Sequence, residues 1–320
     1  MRRIVQASTV CLAAAVLSAC SGRDAVTDTG FKPTGGVRFI NAVPDTAGSG
    51  GMDMRFVDVV DNNNAQFQIP FRNNIVSSGG VPPSSVLIEY KAATAGSRHF
   101  RVFLDDTLPS VASTVLVDST IDIVDQHRYT ALLWGNSRDP ATSATGMKLK
   151  LIDETCDPGD KIGLRVINTT GQAIDVRVYQ NTATTTGSTT TNAGTAPATP
   201  TWTVQPMDIS TCLPFDVTAT PTKVGSTTTT VTWRFNVRAA GGTTNLFADQ
   251  SALIGVANGT TSGGCNVGVD CDATPGTSAA GTALTAVIFP ASVAGSKAAQ
   301  FSTPAISFMW DKRPNRIPGT

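Results

Sequence analysis

Histidine, carboxylate and cysteine are the side chains through which this 320-residue sequence could do chemistry, and their spacing restricts what that chemistry can be. Only His99 and His127 could shuttle a proton near neutral pH. They stand just ahead of Phe100 and Tyr129 in or beside alternating stretches, the setting of strand-face histidines rather than of an imidazole oriented for catalysis. No G-x-S-x-G, H-E-x-x-H, Walker or dinucleotide fingerprint occurs, so no catalytic residue and no cofactor is expected. Carboxylates gather at Asp105-Asp106, Asp118, Asp122 and Asp125, and again at Asp270 and Asp272. Oxygen clusters of this kind bind calcium in surface loops, but the spacing is not that of an EF-hand, and solvated turn carboxylates without a metal are the expectation. Asp45, Asp53 and Asp175 read as turn and strand-face residues.

Six cysteines complete the inventory: Cys11, Cys20, Cys156, Cys212, Cys265 and Cys271. The chain opens with Met1-Arg2-Arg3, a mostly apolar run from Ile4 to Ala19, and Leu17-Ser18-Ala19-Cys20. A charged start, a short apolar stretch and small residues at a cleavage point are the parts of a secretory signal, and the run is too short to span a bilayer. Leu-Ser-Ala-Cys resembles the lipobox of bacterial lipoproteins. That resemblance implies cleavage before Cys20, diacylglycerol on its sulfur and, from Ser21, an outer-membrane address. With Cys11 removed and Cys20 acylated, four cysteines remain, an even number that in an oxidising compartment argues for two disulfides with three possible pairings. Cys265 and Cys271 bracket the Gly-containing Asn-Val-Gly-Val-Asp loop, so the pairing expected is Cys265 with Cys271 and Cys156 with Cys212. A zinc or redox site is disfavoured, because no C-x-x-C and no neighbouring histidine accompanies them.

The elements that must carry these residues are strands. Lys+Arg and Asp+Glu are 24 each and charged residues only 15%, a makeup that excludes electrostatic capture of nucleic acid and suits an extracellular β-protein. Residues 1–19 form the signal, and Cys20 to Gly36 a polar tether. Short alternating stretches then follow: Val37–Asn41, Met52–Val57, Val86–Tyr90, His99–Leu104, Ser113–Val117, Tyr129–Trp134 and Met147–Ile152, separated by Gly, Pro, Asn and Asp.

The pattern recurs. Leu164-Arg165-Val166-Ile167-Asn168 repeats Val37-Arg38-Phe39-Ile40-Asn41, and Ile174–Val178 repeats Met52–Phe56. Phe235–Gly241 matches Tyr90–Gly96, Leu284–Phe289 matches Tyr129–Trp134, and Ile306–Asp311 matches Lys148–Asp153. The expectation is an all-β chain of two tandem antiparallel β-sandwich (immunoglobulin-like) domains, residues 37–154 and 163–314, with a linker at 155–162 and a tail at 315–320. Phe39 should be equivalent to Val166 and Phe56 to Val178. Asn181–Thr201 and Asn258–Gly281, rich in Thr, Gly, Ser and Ala, should be exposed loops. Trp134, Trp233, Phe235, Phe289 and Trp310 should face the cores.

Val37-Arg38-Phe39-Ile40-Asn41-Ala42-Val43-Pro44-Asp45, followed by the strand Met52–Val57, resembles the opening of the family catalogued as domain of unknown function 4397, found in tandem in bacterial surface lipoproteins. The second copy keeps the strand, and Thr169-Thr170-Gly171-Gln172 replaces the Pro-Asp turn. The resemblance implies a β-sandwich on the cell envelope and brings no activity or binding residues with it. The function expected is non-catalytic: a lipid-anchored envelope scaffold or binding module, touching the membrane through its lipid and an envelope protein or glycan through its domains. A carbohydrate-active or other envelope enzyme is the alternative, and convergent carboxylates in a concave pocket would distinguish it.

Overall fold

The computed structural model describes residues 33–45, 51–60, 68–70, 90–105, 110, 113–255, 274–293 and 303–314. The signal, Cys20 and most of the tether, residues 86–89 of one expected strand, Asp106, Asp270, Asp272, Cys265, Cys271 and the tail from residue 315 lie outside them.

The chain is all-β: the described residues form strands β1 to β19 and no helical element. The first half makes two sheets. One runs in the order β4 (Lys91–Thr94), β1 (Thr34–Asn41), β7 (Arg128–Trp134), β8 (Lys148–Asp153), and the other β3 (Gln68–Pro70), β2 (Gly51–Val60), β5 (Gly96–Asp105), β6 (Val115–Ile123). The second half makes two more. One is β13 (Asp208–Ile209), β9 (Ile162–Asn168), β18 (Ala283–Phe289), β19 (Ala305–Lys312), with β14 (Leu213–Phe215) also on β9. The other is β11 (Thr189–Ala193), β10 (Ile174–Thr186), β16 (Thr227–Ala239), β15 (Thr222–Val224), with β12 (Trp202–Val204) on β10 and β17 (Gln250–Ser251) on β16.

Register matches between the halves. Phe39 lies opposite Ala131 and Val166 opposite Ala286, Phe56 opposite Phe100 and Val178 opposite Phe235. Two departures from the sequence reading follow. The pairs β1–β7 and β9–β18 are parallel, so these two sheets are mixed. The matched registers also shift two correspondences: Leu151 and Phe308 face the equivalent Ala131 and Ala286, which sets Glu154, not Asp153, against Asp311. Phe235 likewise matches Phe100 on β5, whereas Tyr90 precedes β4, a strand that pairs with β1. A shared Ala-Gly marks a turn, and turns recur without fixing register.

The four sheets stack. Val37, Phe39 and Val43 point from one face of the β1 sheet into a core shared with Met52, Phe56, Phe100, Val102, Ile121 and Ile123 of the β2–β5–β6 sheet. Leu164 and Val166 of β9, with Leu284, Ala286, Phe308 and Trp310, share a second core with Val176, Val178, Phe235 and Val237. The opposite faces of the β1 and β9 sheets meet each other through Ile40, Ala42, Leu132, Trp134 and Ile152 against Ile167, Val287, Phe289 and Met309. Both middle sheets are thus covered on both sides, which is why β7 and β18 carry consecutive apolar residues, Ala131 to Trp134 and Ala286 to Phe289, rather than strict alternation. Trp134 and Phe289 accordingly face the seam between the halves; Phe235 and Trp310 face the second core, and Trp233 packs at its margin.

Three boundaries move. β1 starts at Thr34, inside the expected tether, because residues 34–37 pair with 91–94. The expected linker yields Ile162 to β9. Asn181–Thr201 is not a loop throughout: β10 continues to Thr186, turns, and returns as β11, and Thr184, Thr185 and Thr186 are flanked by threonines on β11 and β16. β-branched threonines suit an extended backbone, and hydroxyls bond across the strands, Thr185 to Thr190 at 2.9 Å and Thr186 to Thr227 at 3.0 Å.

Candidate functional site at the seam between the two halves

Arg38 stands in the middle of β1 and Arg165 at the same place in β9, each on the face that turns toward the other half. Their side chains are 0% and 6% exposed, and those of Glu154 and Asp311 1% and 2%, so four charges share a desolvated seam. Arg38 Nη2 reaches Glu154 Oε1 at 3.2 Å and Asp311 Oδ1 at 2.5 Å, and its Nη1 donates to the Trp310 carbonyl at 2.7 Å. Arg165 pairs with Glu154 Oε2 and, through Nε at 3.2 Å, with Asp311 Oδ2. Each guanidinium therefore bridges one carboxylate from each half.

A threonine completes each side. Thr130 Oγ1 accepts from Arg38 Nε at 2.7 Å and donates to Glu154; Thr285 Oγ1 accepts from Arg165 Nε at 2.6 Å and donates to Asp311 Oδ2 at 2.5 Å. Thr130 lies opposite Arg38 in β1–β7, and Thr285 opposite Arg165 in β9–β18. The clasp is consequently a two-fold pattern written by the repeat itself. Each of the two positive charges pairs with both negative ones, the condition under which buried ions persist.

Magnitudes separate the roles of charge and apolar contact here. A buried ion network of this kind contributes roughly nothing net against apolar side chains of the same volume. Each Leu, Ile, Val or Phe of the adjoining row is worth about 1.5–3 kcal/mol on burial. The apolar row holds the halves together, and the clasp fixes which residue meets which.

Beside the clasp a cleft of about 530 Å³ opens, lined on one side by Gln126, His127, Arg128, Asp153, Glu154, Thr155 and Cys156 and on the other by Asp311, Lys312, Arg313 and Pro314. His127 Nδ1 meets Asp153 Oδ2 at 2.9 Å, and its ring stacks on Tyr129. Arg128 donates from Nη1 to the Asp311 carbonyl at 3.2 Å and lies 5.6 Å from the Tyr90 ring centre. Arg313 stacks 4.5 Å over Trp310, and Lys312 Nζ bonds Asp157 Oδ1 at 2.7 Å. Carboxylates do converge here, but both oxygens of Glu154 and of Asp311 are taken by arginine and threonine. Burial pushes the Tyr90 phenol, which packs beside Arg38 and Trp310, up to about 12.

Cys156, one of the residues lining the cleft, is joined to Cys212, with Cα atoms 5.8 Å apart. The bond packs against β9 at Gly163, where a Cβ would lie 2.5 Å from Cys156 Sγ and 3.0 Å from Cys212 Sγ. Only glycine admits the disulfide so close to the strand.

The remaining residues singled out in the sequence stay dispersed. His99 pairs with Asp118, which also accepts from Arg101 Nε at 2.8 Å; these partners hold the Asp118 carboxyl below its usual range. Asp125 accepts from the Thr34 amide at 2.9 Å, and Asp45, buried, accepts from the amides of Ser137 at 2.6 Å and Arg138 at 3.0 Å. Burial raises Asp175, but bonds from Thr203 and the Gly241 amide and the charge of Arg177 outweigh it, so its carboxyl sits below the usual range. Among the described residues no three His, Cys, Asp or Glu side chains converge as a metal set, and no helix is long and apolar enough to cross a membrane. The sequence reading gave Thr130, Thr285, Glu154 and Asp311 no role beyond strand or boundary positions; the signal that finds them is an arginine inside a buried strand at the same place in both copies.

No model of a known protein family matches the chain, and no curated protein is similar to it, so the family resemblance rests on the residues quoted for it.

Proposed function

We propose that this chain is a non-catalytic, lipid-anchored protein of the bacterial cell envelope, a scaffold or binding module with two tandem antiparallel, immunoglobulin-like β-sandwich domains. Diacylglycerol on Cys20 tethers it to the outer membrane, and the segment up to residue 33 spaces it from the lipid. The first domain begins with β1 and closes with β8; the second begins with β9 and closes with β19. The observation that carries the reading is the buried clasp of Arg38, Glu154, Arg165 and Asp311. Domains that only shared a linker would move independently, whereas a desolvated seam with its charges paired fixes their relative position, as a rigid display platform requires. Occupied carboxylates in the cleft favour binding over proton transfer, because a general acid or base needs a carboxyl facing its substrate. Small-angle scattering of the protein released from its lipid tests the platform. The expected profile is that of one rigid particle, and a profile needing a distribution of interdomain angles would contradict it.

A further inference from the structure

We infer that the open edge of β11 pairs with β11 of a second copy of this chain, antiparallel and about a two-fold axis at Thr191. β11 returns from β10 through Gly187-Ser188, with Gly187 at a φ of 60°, the left-handed conformation that a two-residue hairpin turn requires. Thr186 and Thr189 close the hairpin. Antiparallel alternation then aims the backbone groups of Thr189, Thr191 and Ala193 at β10 and those of Thr190 and Asn192 outward. Among the described residues no strand pairs with that outer side, and all five residues of β11 are exposed. Open edges are ordinarily blunted by a charge, a proline or a bulge. Thr189-Thr190-Thr191-Asn192-Ala193 has neither charge nor proline, and its register against β10 is unbroken. The opposite edge of the same sheet, β15, is three residues long and carries Lys223.

The pairs this edge already makes select its partner. Thr184, Thr185 and Thr186 each face a threonine of β11, and across the sheet Thr191, Thr184, Thr229 and Thr222 lie side by side on adjacent strands. A two-fold axis at Thr191 sets that residue against Thr191 of the second copy, and Thr190 against its Asn192. The threonine row then runs unbroken through both ribbons, with no like charges opposed. In this register Thr190 of one copy and Asn192 of the other exchange both of their backbone hydrogen bonds, and the symmetry-related residues do the same. An edge of five residues covers far less than the roughly 1,000 Å² of a stable interface. The pair is therefore transient in solution and fills when chains are concentrated on one surface; that second step rests on the lipid anchor proposed above.

The test is oxidative cross-linking of Thr191→Cys, with wild type and Lys223→Cys on β15 as controls, both in concentrated protein released from its lipid and in envelope membranes. Residues facing each other across this axis form a non-hydrogen-bonded pair with Cα atoms about 4.5 Å apart, within disulfide reach. Thr191→Cys should give linked dimer about tenfold faster than Lys223→Cys, and faster still in membranes. Adding Thr190→Lys should slow that link severalfold, and less at high salt, a dependence that a merely misfolded ribbon would not show. Equal rates for the two cysteines in both settings would overturn the pairing and leave the anchor untouched. A chain bearing both cysteines that links 191 to 223 would overturn the two-fold arrangement in favour of head-to-tail contact. Fast linking of Thr191→Cys in solution with no gain in membranes would uphold the edge pairing and contradict the anchor instead.

Discussion

Arg38 is a charged side chain that no strand interior would keep without partners, and its partners come from both halves. Replacing it alone with Met leaves Glu154 and Asp311 facing each other with one guanidinium, and should cost about 3–5 kcal/mol, measured by denaturant unfolding. Replacing all four charges with apolar residues of similar volume should restore most of that stability, because the pairs roughly cancel their own desolvation. If the single and fourfold variants are equally unstable, the clasp contributes more than register. Asp175 sets a second, pH-dependent term. Its folded carboxyl is depressed, so its contribution is present above the ordinary carboxylate value and is lost as pH falls through the folded one. Melting temperature should fall on acidification below about pH 4, less steeply in Asp175→Asn, and parallel curves for the two proteins would contradict this. Tyr90 works in the alkaline direction: its raised folded value holds stability below the ordinary tyrosine range, lost as pH rises through about 12.

At the scale of elements, much was legible and the failures have physical causes. The strands carrying Phe39, Phe56, Val166 and Val178 declare themselves by alternation, and their pairings match between the halves. Alternation reports which residues leave one face, not what covers the other, so the second burial of β1, β7, β9 and β18 was invisible although the unbroken run Thr130-Ala131-Leu132-Leu133-Trp134 was its trace. Biased composition misled at Thr182–Thr186: threonine abundance suggests a loop, while β-branching and cross-strand pairing make a ribbon. The cleft, assembled from residues 126–128, 153–156 and 311–314, is set by long-range packing that no local pattern encodes. Cys156 and Cys212, 56 residues apart, form the pair favoured among the three that their count allows, whereas Cys265 and Cys271 lie outside the described residues. Closing a loop of that length removes about 4 kcal/mol of unfolded-chain entropy in the chain-entropy model. Reduction should accordingly raise hydrogen exchange in β9 and β14 more than in β2 and β5, and a uniform increase would show that the bond staples something larger.

At the scale of the molecule the described residues form a stack of four sheets with two flanking cores and a third apolar row between the halves, and the chain is proposed to be held to a membrane by lipid on Cys20. Cys20→Ser should move the protein out of the membrane fraction or leave its precursor uncut, and wild-type fractionation and migration would end the lipoprotein reading. The seam makes a stronger demand, since halves joined by buried charge and by Leu132, Trp134, Phe289 and Met309 cannot unfold separately without exposing both. Scanning calorimetry of the protein released from its lipid tests this most directly. One transition whose calorimetric and van't Hoff enthalpies agree is the result predicted, with Leu132→Ala lowering that single transition by about 2–5 kcal/mol. Two resolved transitions in the wild-type protein, one for each half, would contradict it.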